Sequence, residues 1–256
     1  MPHTITHNVF KQALKEDRRL LGLWLAFGSA TAAEVSANSG FDWVLIDGEH
    51  GPYDLTTMLD VLRAVHGYPV SPIVRPANSD PVLIKQVLDL GAQTLLLPMV
   101  NSREEAELMV KATRYAPEGI RGVGAVLARS GEWGRIPDYI RVADDEICLI
   151  VQVESREALE HVDEIASVDG IDAVFIGPAD LSASLGYPDA AEAPEVQDAI
   201  HRAFDIIGSH DKAIGSLAFD ADLAKKYFDW GANFVAVAGD TDLYVHALDR
   251  ELALFR

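Results

Sequence analysis

The chain has 256 residues, 49% of them hydrophobic, one cysteine and a formal charge of -19. This length and apolar content suffice for a large core, argue against disorder, and match the usual size of an eight-stranded β/α barrel. The acidity, with no basic run, excludes nucleic acid and anionic membrane as partners, since both need clustered Lys or Arg, and the lone Cys148 excludes an internal disulfide or a cysteine-rich metal site.

Near the start, KEDRR followed by LLGLWLAF and SATAA mimics a secretory signal. Glu16 and Asp17 in the would-be basic region, and Gly22 and Gly28 in the apolar run, argue for a first strand instead. No window reaches the apolar length of a membrane span, so a cytoplasmic chain is expected. From there, short Val/Ile/Leu-rich runs alternate with longer amphipathic segments, the pattern of βα units around a parallel sheet. The predicted strands are LGLWLA (centred on 22–26), WVLID, PIVRP, TLLLPM, CLIVQVE, AVFIGP, AIGSLA and FVAVAG. Cys148 lies within one of them and reads as a buried, inert thiol. Thr31 with Glu34 and Ser102 with Glu105 fit capping boxes, and Asp80 precedes Pro81 at a first helical position. Residues 117–136 form a Gly-rich excursion and 184–195 a second long loop, lengths that usually signal function. An open doubly wound sheet is the alternative architecture. Eight evenly spaced units favour closure, so the expected fold is α/β, a single (β/α)8 TIM barrel over residues 1–256.

A barrel gathers the C-terminal ends of its strands on one face, where such folds keep their chemistry. The stretch VLIDGEHGP, residues 44–52, starts as buried strand and then sets Asp47, Glu49 and His50 at that mouth. Trp24, Arg75, Gln152, Glu154, Ala179, Asp180, Leu217 and Asp240 fall at or just past other strand ends. Glu154 and Asp180, one βα unit apart, could hold a hard dication through oxygen; each alone could equally favour a helix N-terminus. Mg²⁺ or Mn²⁺ is preferred to Zn²⁺, because no Cys or His pair completes a tetrahedron. Arg75, ending an Ile-Val strand, needs an anion: a substrate oxygen that becomes negative, or a carboxylate in a structural ion pair. His50, alone among eight histidines at a strand mouth, is the natural proton carrier, with a structural role as the alternative. Backbone N–H groups of Ala179 and Asp180 in GPAD would open a helix and bind a carboxylate or phosphate. Trp24 and Leu217 would shape the apolar part of a pocket, or simply pack. No lysine reads as lying at a strand mouth, which disfavours an imine mechanism. Neither a P-loop nor a Rossmann fingerprint appears.

IDGEHGP, VRP, IKQVLDLGAQTLLLPMV, TRYAPEGIRGVG, QVES, VFIGPADLSASLGYP and GANFVAVAGDT together resemble the class II pyruvate aldolases of the HpcH/HpaI type, from about Gly22 to the last helix. The resemblance implies cleavage of 4-hydroxy-2-oxo acids to pyruvate and an aldehyde, and the reverse addition, with Mg²⁺, Mn²⁺ or Co²⁺ as cofactor. It makes Glu154 and Asp180 metal ligands, Asp47 the holder of water on the metal, and Arg75 the group that steadies the enolate. His50 would transfer the proton, oriented by Asp89, and Ala179 and Asp180 backbone groups would hold the pyruvate carboxylate. Asp89 lies near the end of a helix that has run back to the bottom of its own barrel, so it would meet His50 only across a subunit boundary; the resemblance implies a homohexamer. A solvated helix-end acid is the simpler alternative. This chain departs from many relatives in having Glu132 before Trp133 and VAVAGDT at its last strand. An acyl-CoA lyase of the citramalyl- or malyl-CoA type shares the same enolate logic, and a non-catalytic 2-oxo acid binding protein is the third reading.

Overall fold

The computed structural model describes residues 4–256; His3 lies outside the described residues. All eight expected strands form, and they close into one parallel barrel in sequence order, the first pairing with the last. They are β1 (Leu20–Leu25), β2 (Trp43–Asp47), β3 (Ser71–Arg75), β4 (Thr94–Leu97), β5 (Cys148–Val153), β6 (Ala173–Ile176), β7 (Ala213–Leu217) and β8 (Phe234–Gly239). Outside and between them run α1 (Val9–Lys15), α2 (Ala30–Ala37), α3 (Leu55–Ala64), α4 (Pro81–Asp89), α5 (Arg103–Thr113) and α6 (Tyr139–Glu146). The second half adds α7 (Arg156–Glu160), α8 (Val162–Ala166), α9 (Pro178–Leu185), α10 (Pro194–Ser209), α11 (Ala221–Asp229) and α12 (Asp240–Ala253).

The strands read as unbroken apolar runs because both of their faces are buried. Val44, Ile46, Val74, Val151 and Val174 pack outward against the helices. Their neighbours Leu45, Ile73, Ile150, Phe175 and Phe234 fill the barrel. At its lower end α1 inserts Phe10, whose ring meets Phe234 edge-on at 5.3 Å and Trp43 at 6.2 Å. Room for those rings comes from missing side chains: a Cβ on Gly22 would lie 2.1 Å from Trp43, and one on Gly215 2.2 Å from Phe234. Cys148 is buried, and burial lifts its thiol well above the ordinary range. Among the described residues no helix is long and apolar enough to cross a membrane.

Two helix starts match expectation. Asp80 caps α4 ahead of Pro81, and Ser102 Oγ accepts from the Glu105 N–H at 3.2 Å. Glu105 reaches one residue further back than a capping box requires, to the Asn101 N–H at 2.7 Å. Thr31 is not a cap. Helix α2 starts earlier, with Ser29 Oγ accepting from Ala32 N–H, because Gly28 in a left-handed turn (φ +67°) ends the preceding segment there.

The long loops separate by position. Residues 186–193 leave α9 on the mouth side, after Gly186 closes the helix at φ +94°. Segment 117–136 follows α5 and precedes β5, which puts it at the opposite, N-terminal end; Arg129 there donates to Leu90 O, past the end of α4, at 2.9 Å. In its own subunit the Gly-rich excursion is therefore remote from the mouth.

Candidate active site

The break in VLIDGEHGP is a tight turn built on Asp47. Gly51 N–H donates back to Asp47 O at 3.0 Å, and Gly48 N–H crosses to Arg75 O at 2.8 Å. A Cβ at Gly48 would sit 2.8 Å from that Arg75 oxygen and 2.2 Å from the Met58 methyl, so glycine is required for the close approach. The Asp47 side chain turns inward and is 2% exposed. Its Oδ1 accepts from Arg75 Nε at 2.9 Å and from the backbone N–H of Glu49 (3.1 Å) and His50 (3.2 Å). Its Oδ2 accepts from Arg75 Nη2 at 2.7 Å and Trp24 Nε1 at 2.8 Å. Burial alone would raise this carboxyl, but the Arg75 and Trp24 bonds outweigh it and hold Asp47 below the usual range.

Arg75, 4% exposed, thus meets a carboxylate in a two-pronged pair, the structural ion pair anticipated as one of its alternatives. Its Nη1 lies 2.9 Å from Glu49 Oε2. A guanidinium carries five N–H groups; three are engaged here, leaving two for a substrate. Sequence reasoning gave Glu49 no role of its own. The structure makes it the link between Arg75 and His50, whose Nε2 is 4.0 Å away. The His50 ring is otherwise 66% exposed, at the rim.

Across the mouth, Glu154 follows β5 directly and is 3% exposed. Its Oε1 accepts from the Met99 N–H at 3.0 Å, and its Oε2 from the Gln152 amide. Met99 turns its N–H to this task in a left-handed conformation (φ +56°) that nothing in TLLLPMV announces. Gly177 makes the space: a Cβ there would meet Glu154 Oε2 at 2.6 Å. Burial, aided by the charges of Asp180 and Glu49 and opposed by the Met99 bond, pushes Glu154 up to about 7. Burial likewise raises Glu49, against the pull of Arg75.

Asp180 stands exposed in the first turn of α9. Leu181 N–H is the first to reach a carbonyl, that of Gly177 at 3.1 Å, so the N–H groups of Ala179 and Asp180 open the helix before any such bond. Leu217 ends β7 half-buried and, like Trp24, caps the inner core. Asp240 is occupied elsewhere: its oxygens accept from the N–H groups of Ala26 (2.9 Å) and Phe27 (3.2 Å), tying α12 to β1.

One expected site residue stands apart. Asp89 ends α4 at the far end of the barrel, its carboxylate 3.0 Å from the fully buried guanidinium of Arg121, which stacks 4.4 Å over Tyr115.

The mouth therefore holds Asp47, Glu49, Glu154 and Asp180 against Arg75, an excess of negative charge that invites a cation. The buried Gln152 Oε1 has no hydrogen-bond partner, which leaves an acceptor for a donor that arrives with a ligand. No group of three or more His, Cys, Asp or Glu among the described residues encloses a metal position, so substrate or water would complete any coordination. Donor chemistry and charge fit a hard dication.

A model of the family described as HpcH/HpaI aldolase/citrate lyase matches residues 20–247. The chain belongs to that family. This HpcH/HpaI protein is 52% identical over 254 residues to a 2-keto-3-deoxy-L-rhamnonate aldolase of Klebsiella pneumoniae subsp. pneumoniae, covering 99% of this chain and 95% of that one. The same figures hold for the 2-keto-3-deoxy-L-rhamnonate aldolase of Escherichia coli strain K12. Among solved structures, an HpcH/HpaI aldolase/citrate lyase family protein from Burkholderia cenocepacia J2315 superposes with a TM-score of 0.93 at 36% identity, covering 96% and 98% of the two chains. By these likenesses the HpcH/HpaI chain described here is an aldolase-type carbon–carbon lyase.

Proposed function

We propose that the chain is a divalent-metal-dependent aldolase that cleaves 4-hydroxy-2-oxo acids to pyruvate and an aldehyde and runs the reverse addition. The observation that carries this reading is the burial of the Glu154 carboxyl, 3% exposed, in the same mouth as Asp180 and Glu49. A protein keeps such a carboxyl in so acidic a mouth when a cation normally shares it. Glu154 and Asp180 would hold Mg²⁺, Mn²⁺ or Co²⁺. When bound, the ion supplies Lewis acidity that draws electron density toward the substrate's keto oxygen.

The protein's own groups do the rest. The N–H groups of Ala179 and Asp180, at the start of α9, bind the 2-oxo acid's carboxylate. The two unengaged N–H groups of Arg75 face the keto oxygen and stabilise it as it turns negative. His50, directly or through water, removes the 4-hydroxyl proton; the C3–C4 bond breaks, the aldehyde leaves, and pyruvate enolate is protonated at its methylene carbon. Gln152 supplies the free acceptor beside Glu154. Trp24 and Leu217 form the apolar wall.

The subunits are read as assembling into a homo-oligomer, a hexamer by family resemblance. Asp89 of one would orient His50 of the next. Supporting this are Asp89's place at the far end of its own barrel and the exposed apolar Ile120, Val123, Val126 and Leu127 in the neighbouring loop. A cytoplasmic location belongs to the same reading, since one buried thiol asks for no oxidising compartment. The test is to incubate the metal-stripped protein with 2-keto-3-deoxy-L-rhamnonate, and separately with a citramalyl-CoA thioester, with and without Mg²⁺. Pyruvate release from the sugar acid only when metal is present supports the proposal. Cleavage of the thioester alone, or full activity without metal, refutes it.

A further inference from the structure

Trp24 makes three contacts at once. Its ring packs on Phe175, centroids 6.0 Å apart. The Arg75 guanidinium carbon lies 4.8 Å from the ring centroid, and the indole N–H donates to Asp47 Oδ2 at 2.8 Å. A residue serving only as an apolar wall needs the first contact and not the other two.

The Asp47 carboxylate explains why they matter. Its plane sets the direction of the two-pronged Arg75 pair, because both prongs lie in it. Backbone N–H groups of Glu49 and His50 fix Oδ1 only. Among the described residues, Oδ2 is held by Arg75 itself and by Trp24. Without the indole N–H, every anchor independent of Arg75 meets the one oxygen Oδ1, and the carboxylate can swivel about that oxygen, carrying the guanidinium along.

We propose that Trp24 is a positioning residue: its N–H locks the Asp47 carboxylate and its ring supports Arg75, so that the two unused guanidinium N–H groups point at the oxygen that turns negative. This rests on the enolate-forming reading given above, and gives Trp24 a task distinct from lining the pocket.

The Trp24→Phe variant keeps an aromatic ring, smaller than the indole, against Phe175 and Arg75, and loses the N–H donor. With Mn²⁺ present, its kcat for exchange of pyruvate methyl protons in deuterated water is expected to fall about tenfold, while KM for pyruvate stays within about twofold. Oxalate, a planar dianion that imitates the enolate, loses affinity in calorimetry, whereas pyruvate does not. Because the Trp24 N–H acts through Asp47, adding Trp24→Phe to Asp47→Asn produces much less than the additive loss. An unchanged kcat, a defect confined to KM for the aldehyde, or additive losses in that cycle would overturn the proposal. If wild-type protein catalyses neither exchange nor cleavage, the functional reading fails instead. A crystal structure of Trp24→Phe then decides the positioning role separately: Arg75 displaced from Asp47 upholds it, and an unmoved pair overturns it.

Discussion

A buried guanidinium is costly unless anions meet it, and at 4% exposure Arg75 depends on Asp47 and Glu49 for its place. Replacing it has two consequences. Arg75→Ala is expected to lower kcat by about 10²–10³, with a small change in pyruvate KM, because the lost N–H groups act on charge that develops during reaction. It should also lower stability by about 3–5 kcal/mol, since Asp47 is left as an uncompensated buried charge; steady-state kinetics and urea unfolding read the two effects separately. Glu154 makes a pH prediction. Its folded value of about 7 lies above the ordinary 4.5, so the folded state binds more protons than the unfolded one between those values. Stability of metal-free protein therefore falls as pH rises from 4.5 to 7, by roughly 3 kcal/mol in total, and a dication offsets the loss. Thermal melts should show Mg²⁺ or Mn²⁺ raising Tm more at pH 8 than at pH 5; equal increments would contradict it. Asp47, lowered by Arg75, works in the opposite sense in a separate window, supporting stability above pH 3.8 and losing that support as pH falls further. At this scale the sequence was legible wherever a polar residue interrupted an apolar run, as at Asp47, Arg75, Gln152 and Glu154. It was silent where function lies in the backbone: Met99 aims its N–H through a left-handed turn that its side chain does not encode. Glu49 stood in plain view and lacked an assignment because its partner, Arg75, is on another strand.

Elements here are positioned by what is absent as much as by what is present. Gly177 joins β6 to α9 within reach of Glu154, and a Cβ there meets the Glu154 carboxylate at 2.6 Å and the Gln152 amide at 2.8 Å. Gly177→Ala is therefore expected to weaken Mn²⁺ binding by at least about tenfold in calorimetry while far-UV circular dichroism stays that of the barrel. Strand identity was readable because a parallel barrel buries both strand faces, so that WVLI, CLIV and AVFI carry no polar alternation. Helix starts were less so. Thr31–Glu34 has the spacing of a capping box, yet Ser29 takes the position because the left-handed Gly28 ends the segment two residues earlier than the cap pattern implied. The 117–136 excursion shows another limit: its glycines and length stand out in the sequence, but only chain direction puts it at the end of the barrel opposite the mouth of its own subunit.

At the scale of the molecule, both ends of the barrel are charged with separate tasks. The mouth gathers carboxylates around Arg75, and the far end holds Asp89 against Arg121 next to exposed apolar residues. Closure follows from eight repeated βα units, which composition and periodicity make visible; a surface shared between copies would carry no such period. If Asp89 serves its neighbour's His50, mixing refolded His50→Ala and Asp89→Ala subunits should restore activity that neither parent has, and light scattering should report an oligomer larger than a dimer. Inactive mixtures of properly assembled subunits would confine both residues to their own chains. Titrating chelator-stripped protein with Mn²⁺, while following binding and pyruvate release together, shows whether Glu154 and Asp180 share a dication on which turnover depends. One site per chain is expected, occupied in step with activity in the wild type and lost in both Glu154→Gln and Asp180→Asn. Undiminished pyruvate release from protein holding no metal would contradict it.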